Sequence, residues 1–322
     1  MMTFERFILA FIGSATATLL LLAAVLPVDR TTFAPKAVFL SPDAVPEITS
    51  LEKSRRKSLT SNTLFRMFAR IKYDFNSVQA GQVRIPRLFV KSLPGDMKRI
   101  KATKDRKELF LLSVLPLILK VNDEIWAERI KLIKLKKLVN NRVKLSAEDR
   151  LWLAVMENRY KVIRGDLGAL ELGMDIIPPS LALAQAAEES GWGTSRFVVE
   201  GNALFGQWTD SSKGGLIPLG RMINRNYRIK AFRSLLDGVR AYARNLNTHQ
   251  AYRSFRTGRS ELRRLGLILS GQKLSFHLSP YSERGENYTK SLQKIIKSNS
   301  LEKLDGLKLG DRSLRVIQRI IS

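Results

Sequence analysis

The chemistry legible in this chain gathers at two adjacent carboxylates, Glu188 and Glu189. They end the run SLALAQAAEES, residues 180–190, and are followed at once by Gly191-Trp192-Gly193. The Ala and Leu content of that run favours a helix that packs closely against neighbours. Both acids then sit in its last turn, where the helix dipole disfavours negative charge and raises the cost of ionisation. A carboxyl kept protonated near neutral pH is what general-acid catalysis requires. Adjacent residues on a helix diverge by about 100°, so one of the two faces a given cleft and the other does not. Glu188 shares its face with Leu181 and Ala184, Glu189 with Ala182 and Gln185. Spacing alone does not choose between them, and plain surface carboxylates at a helix end are the competing reading.

The residues that follow favour chemistry on a sugar. Trp192, Phe197, Asn202, Phe205, Gln207 and Trp208 lie within twenty positions of Glu188, interleaved with Gly191, Gly193, Gly201 and Gly206. Pyranose rings present apolar CH faces, so aromatic faces and open glycine turns suit a glycan cleft. A core built from the same aromatics is the alternative, and it would have no evident need for glycine at 191, 193 and 206. Metal chemistry has little support. The two histidines, His249 and His277, are 28 positions apart, and the chain has no cysteine. Disulfides, thiolate metal sites and a cysteine nucleophile are thereby excluded, and no metal or cofactor is called for.

Several elements must position these residues. Pro178-Pro179-Ser180 stops what precedes it, and Ser180 is expected to cap the acid-bearing helix. Residues 106–138 carry apolar side chains at helical spacing, predicting two helices or one bent at Pro116. Ser146, followed by Glu148 and Asp149, starts a helix running to about residue 162. A further helix is predicted over 232–246 and a short amphipathic one over 64–71, while 82–90, split by Pro86, reads as an edge extension or a loop.

The flanks speak to location and partners. Residues 7–28 contain no charge and are long enough to cross about 30 Å of hydrocarbon. They read as an uncleaved membrane anchor, with a cleaved signal as the competitor. The chain has 322 residues and a formal net charge of +26, distributed as −1 over residues 1–50, +16 over 51–145, −2 over 146–180 and +13 over 181–322. That field would steer the protein toward anionic polymers or lipid headgroups. No base-reading module accompanies it, so nucleic acid is not the expected partner.

The stretch IIPPSLALAQAAEESGWGTSRFVVEGNALFGQW, residues 176–208, resembles the catalytic helix and following loop of the bacterial Bax family. That family is a branch of the peptidoglycan glucosaminidases of glycoside hydrolase family 73, which includes the flagellar rod-cap hydrolase. RKELFLLSVLPLILKVNDEIWAER (106–129), VRAYARNLNTHQAYRSFR (239–256) and YSERGENY (281–288) extend the resemblance. It implies a mainly α, lysozyme-like α+β fold with a small β-lobe over a cleft. It also implies that the general acid is the glutamate directly before Ser-Gly-Trp-Gly, Glu189, with Tyr281 as a cleft tyrosine. Gln185, Trp192, Asn202, Phe205, Gln207, Trp208 and Asp210 are the candidate substrate contacts.

The chain departs from the pattern in the β-lobe. Residues 209–231 hold a single acid, Asp210, and Arg228 stands where Bax-like sequences tend to place a glutamate. Either a substrate acetamido group replaces the second carboxylate or activity is lost. The implied organisation is an anchor or signal (1–30), a tether (31–63), a helical extension (64–145) and a glucosaminidase-like catalytic domain (146–322). The implied partners are peptidoglycan strands, the membrane and anionic envelope polymers, with the catalytic domain in the periplasm or facing the wall.

Overall fold

The structure is a computed structural model and describes residues 59–209, 215–217 and 228–310. The expected anchor (7–28), positions 31–58 of the expected tether and Asp210 lie outside these residues. Among the described residues no helix is long and apolar enough to cross a membrane.

The described part is mainly helical, with one two-stranded sheet. Helix α1 (Ser61–Arg70) starts earlier than the apolar pattern suggests because the Thr60 side chain accepts the Thr63 N–H as an N-cap. Helix α2 (Phe75–Gln79) is capped in the same way by Asp74. Residues 82–90 form a loop against the core, with Ile85 bridged to Leu309. Helix α3 (Thr103–Asn140) is one continuous helix that carries Pro116 inside it, so the two-helix alternative does not hold. Proline in a helix interior costs about 3 kcal/mol. Residues 109–119 are all buried, and that enclosure offsets the cost.

Helix α4 (Ala147–Tyr160) is capped by Ser146 as expected and stops at Lys161, which adopts the left-handed conformation. Helix α5 (Leu167–Gly173) leads into the acid-bearing helix α6 (Pro179–Ser190), and α7 (Arg196–Gly201) follows. Strands β1 (Trp208–Thr209) and β2 (Arg228–Ile229) pair antiparallel, Trp208 opposite Ile229 and Thr209 opposite Arg228. Helices α8 (Leu235–Thr248), α9 (Arg253–Arg264), α10 (Gly271–Leu274) and α11 (Glu286–Ser298) complete the set, with short 3-10 turns over Ser275–Tyr281 and Leu301–Leu304.

Helix α6 runs through the core. Residues 179–187 are all buried, and its alanines let α3, α10, α11 and the Leu301–Leu304 turn approach on different sides. One hydrophobic core joins Leu64, Phe110 and Leu117 to Leu181, Leu292 and Leu304. A second, smaller cluster of Leu132, Leu135, Leu153, Met156 and Leu170 holds the C-terminal half of α3 to α4 and α5.

The cap of α6 differs from expectation. Pro178 is the N-cap and has no side chain able to accept a hydrogen bond; Ser180 lies inside the helix. The acceptor comes from the far end of the chain. Asp305 takes the Ser180 N–H at 2.9 Å, the Ser180 hydroxyl at 2.8 Å and the Gly271 N–H at 2.9 Å, so one carboxyl closes the N-termini of both α6 and α10.

The approach to α6 is equally anchored. Asn122 of α3 exchanges two hydrogen bonds with the Ile177 backbone, at 2.7 and 3.0 Å. Arg259, fully buried, donates to the carbonyls of Leu172, Gly173, Asp175 and Ile176 and to Asn247 Oδ1. Asp175 is in turn held bidentately by Arg263 at 2.9 and 3.1 Å.

Candidate active site

Helix α6 delivers Glu189 to a half-buried position one residue before its buried last residue, Ser190. The helix then ends in Gly191 with φ +56°, the left-handed closure that favours glycine. Gly193, with φ +78°, is required by packing, because a Cβ there would stand 2.6 Å from Leu93 Cδ1. These two glycines therefore serve the helix end and the core and do not by themselves open a cleft. Gly206 is different. It has φ +58°, and a Cβ at that position would lie 3.4 Å from Glu189 Oε2, so the loop after α7 passes directly over the carboxyl.

Four phenols surround this acid. Tyr242, Tyr252, Tyr281 and Tyr288 all feel the charge of Glu189, and burial together with that charge holds every one of their hydroxyls protonated. Tyr281 and Tyr288 stack at 5.5 Å with their planes 2° apart, and Tyr252 leans on Tyr281 at 5.8 Å. Hydrogen bonds run in one direction through part of this cluster. Tyr242 Oη donates to Gln185 Oε1 at 2.7 Å, and Gln185 Nε2 donates to Tyr288 Oη at 2.9 Å. The Tyr288 hydroxyl, which accepts from Gln185, is also near enough to the Glu189 carboxyl to favour its charged form.

The carboxyl's acidity follows from these surroundings. Burial pushes Glu189 above the usual carboxylate range. The Tyr288 hydroxyl opposes that rise, the charge of Glu188 adds to it, and Arg284 opposes it weakly. Glu188 points elsewhere and forms a 2.5 Å ion pair with Arg284. Among the described residues, Glu188 is the carboxylate whose charge acts on Glu189. Arg228, at the position expected to hold a second acid, pairs in β2 opposite Thr209.

The structure sorts the remaining candidates. Gln185 is fully buried between Tyr242 and Tyr288, and Phe205 is buried with its ring stacked on Tyr242 at 3.8 Å. Neither presents its side chain to solvent. Phe205 contributes through its carbonyl, which accepts the Tyr281 hydroxyl at 3.1 Å. Trp192 is half-buried, meets Phe110 edge-on at 5.8 Å and carries Lys107 Nζ 4.7 Å above its ring. Asn202 ends α7 in the left-handed conformation and donates to the Phe232 carbonyl at 3.1 Å. Its Oδ1, like Gln207 Oε1, is buried without a hydrogen-bond partner among the described residues. Trp208 in β1 is 60% exposed.

The sequence reading takes Tyr281 as the cleft tyrosine and gives Tyr242, Tyr252 and Tyr288 no site role. Tyr288 is fully buried, yet its hydroxyl acts on the Glu189 carboxyl. The seven-residue separation of Tyr281 and Tyr288 was the available signal. Among the described residues no group of three or more His, Asp or Glu side chains is arranged to hold a metal ion.

The family model described as Glucosaminidase: Mannosyl-glycoprotein endo-beta-N-acetylglucosaminidase aligns with residues 170–301, which span α6, the β1–β2 sheet and the tyrosine cluster. The chain is also 34% identical over 217 residues to Protein bax of Escherichia coli (strain K12), an alignment covering 65% of this chain and 74% of that protein. The chain belongs to the Bax family of glucosaminidase-domain proteins. No solved structure matches it.

Proposed function

We propose that this protein is a β-N-acetylglucosaminidase that cuts peptidoglycan glycan strands within the bacterial envelope, with Glu189 as general acid in a lysozyme-like cleft. The observation that carries the reading is the half-buried Glu189 carboxyl, its pKa raised by burial, set among Tyr242, Tyr252, Tyr281 and Tyr288 beside the directed Tyr242–Gln185–Tyr288 hydrogen-bond chain. As general acid, Glu189 enters the reaction carrying its proton. That proton passes to the glycosidic oxygen as the bond to the anomeric carbon breaks. Trp208, exposed on β1, offers a face for a sugar ring. Gln207 Oε1, beside Gly206 in the same loop and without a hydrogen-bond partner among the described residues, suits a donor such as an acetamido N–H.

The oxocarbenium-like charge that develops needs a partner. The four neutral phenols supply none, so the partner is either Asp210 or the substrate's own acetamido oxygen. The membrane segment at 7–28 would hold the catalytic domain on the wall side of the membrane, because an inward-facing peptidoglycan hydrolase has no substrate. A second reading, a glycan binder that keeps the cleft without cleaving, is favoured by one observation: Glu188, the carboxylate acting on Glu189, is tied up by Arg284.

The deciding experiment is digestion of purified peptidoglycan with the full chain, with analysis of the new reducing ends. N-acetylglucosamine ends that disappear with Glu189→Gln support the hydrolase. Retention on the wall polymer with no new ends for either protein supports the binder.

A further inference from the structure

We propose that the far end of the α3–α4 helical hairpin is a docking surface for an anionic phospholipid bilayer. The proposal stands apart from the glycosidase reading. Past Glu128 the chain has no acid until Glu148, and residues 129–147 contain seven Lys or Arg. Three of these are paired: Lys131 with Asp149, and Arg129 and Lys136 with Glu171. The other four, Lys134, Lys137, Arg142 and Lys144, are exposed.

Apolar side chains stand among them. On α3, Trp126, Ile130 and Ile133 follow one another at i, i+4 and i+7, which sets them on a single face, and Lys137 continues the line. Ile130 is 53% exposed and Ile133 44%. At the tip, Val139 and Val143 are exposed beside Arg142. The second hydrophobic cluster already holds this hairpin together through Leu132, Leu135, Leu153 and Met156, so the outward set is not required for its packing.

Trp126 carries the Arg263 guanidinium 5.0 Å above its ring and is left out of the apolar set. Ile and Val interleaved with Lys and Arg is the composition of a surface that settles at the headgroup boundary, its apolar side chains in the acyl region and its cations on phosphates. The charge argues for lipid over a second copy of this chain, since two such faces would repel. The apolar set argues for lipid over a wall polyanion, which would select cations but gain nothing from exposed Ile and Val.

The absence of cysteine makes the test site-specific. Full-length protein carrying Val143→Cys, labelled with a polarity-sensitive fluorophore, would be mixed with vesicles of phosphatidylcholine containing phosphatidylglycerol and with vesicles of phosphatidylcholine alone. Lys290→Cys on α11 serves as the control site. The 7–28 segment can attach the chain to either vesicle, so the readout is insertion at the labelled position and not attachment. The expected result is a blue shift at position 143, quenched by nitroxide lipids, on the anionic vesicles and absent at position 290. Each of Lys134→Gln and Lys137→Gln should weaken that insertion by about fivefold, the effect of one basic residue near an anionic leaflet. A probe at 143 that stays in water on vesicle-bound protein overturns the proposal. So does an equal shift on phosphatidylcholine alone, on purified peptidoglycan, or without vesicles as protein concentration rises.

Discussion

At the scale of single residues, two neighbouring glutamates have been given different environments by the fold. Glu189 lies under Gly206 among four phenols, while Glu188 is spent on Arg284. Glu189→Gln should therefore lower glycan hydrolysis by orders of magnitude with little change in thermal unfolding, and Glu188→Gln should cost far less, as measured by release of reducing ends. Equal mild losses would contradict the assignment. The pH profile tests the hydrogen-bond chain. A general acid works protonated, so activity falls as pH rises through the Glu189 pKa, and burial has moved that limb upward. Because the Tyr288 hydroxyl opposes the rise, Tyr288→Phe should raise the pKa further and shift the alkaline limb to higher pH. A purely structural role for Tyr288 would lower the rate at every pH and leave the limb in place.

Among the elements, α6 matters most, because both its ends are closed by groups outside it. Asp305→Ala would orphan N–H groups at Ser180 and Gly271 and should destabilise by about 2–3 kcal/mol in denaturant unfolding. The Asp305 carboxyl is pushed up to about 6, chiefly by burial, against the hydrogen bonds that favour its charged form. A folded-state pKa above the unfolded one means that the native protein takes up the proton first as pH falls. Wild type should gain stability relative to Asp305→Asn as pH drops from 7 through about 6, and the gain should level off below about 4. The loop before α6 depends on Arg259. Arg259→Ala removes a donor from four carbonyls and from Asn247 Oδ1, and although Asp175 and Gly173 keep a second donor, the expected loss is about 3–5 kcal/mol.

For the molecule as a whole, the net charge of +26 governs encounter more than recognition. Screening shortens from about 30 Å at 0.01 M salt to about 8 Å at 0.15 M. Retention on purified peptidoglycan should weaken across that range for wild type. Trp208→Ala should lower what remains at the higher salt, since stacking is largely insensitive to screening. A sequence-selective DNA complex that survives physiological salt, with no wall retention, would overturn the partner assignment.

How much of this was legible beforehand follows from the range of the forces involved. The approximate positions of α1, α3, α4, α6 and α8, the Ser146 start, the stop before α6 and the acid pair depend on neighbours within a few residues, and local pattern was enough to read them. The family was legible too, carried by the contiguous run from 176 to 208. Contacts made across long loops were beyond reach. Asp305 closing a helix that begins 126 positions earlier, and Gln185 held between Tyr242 and Tyr288, each join residues whose separation carries no periodic signal. Pro116 stays within one helix because the surrounding core outweighs local propensity. The choice between Glu188 and Glu189 shows the division most directly. Spacing set them about 100° apart on a helix end. That burial raises the Glu189 pKa was decided by the tertiary structure, because desolvation depends on what packs around a carboxyl and not on what precedes it in the chain.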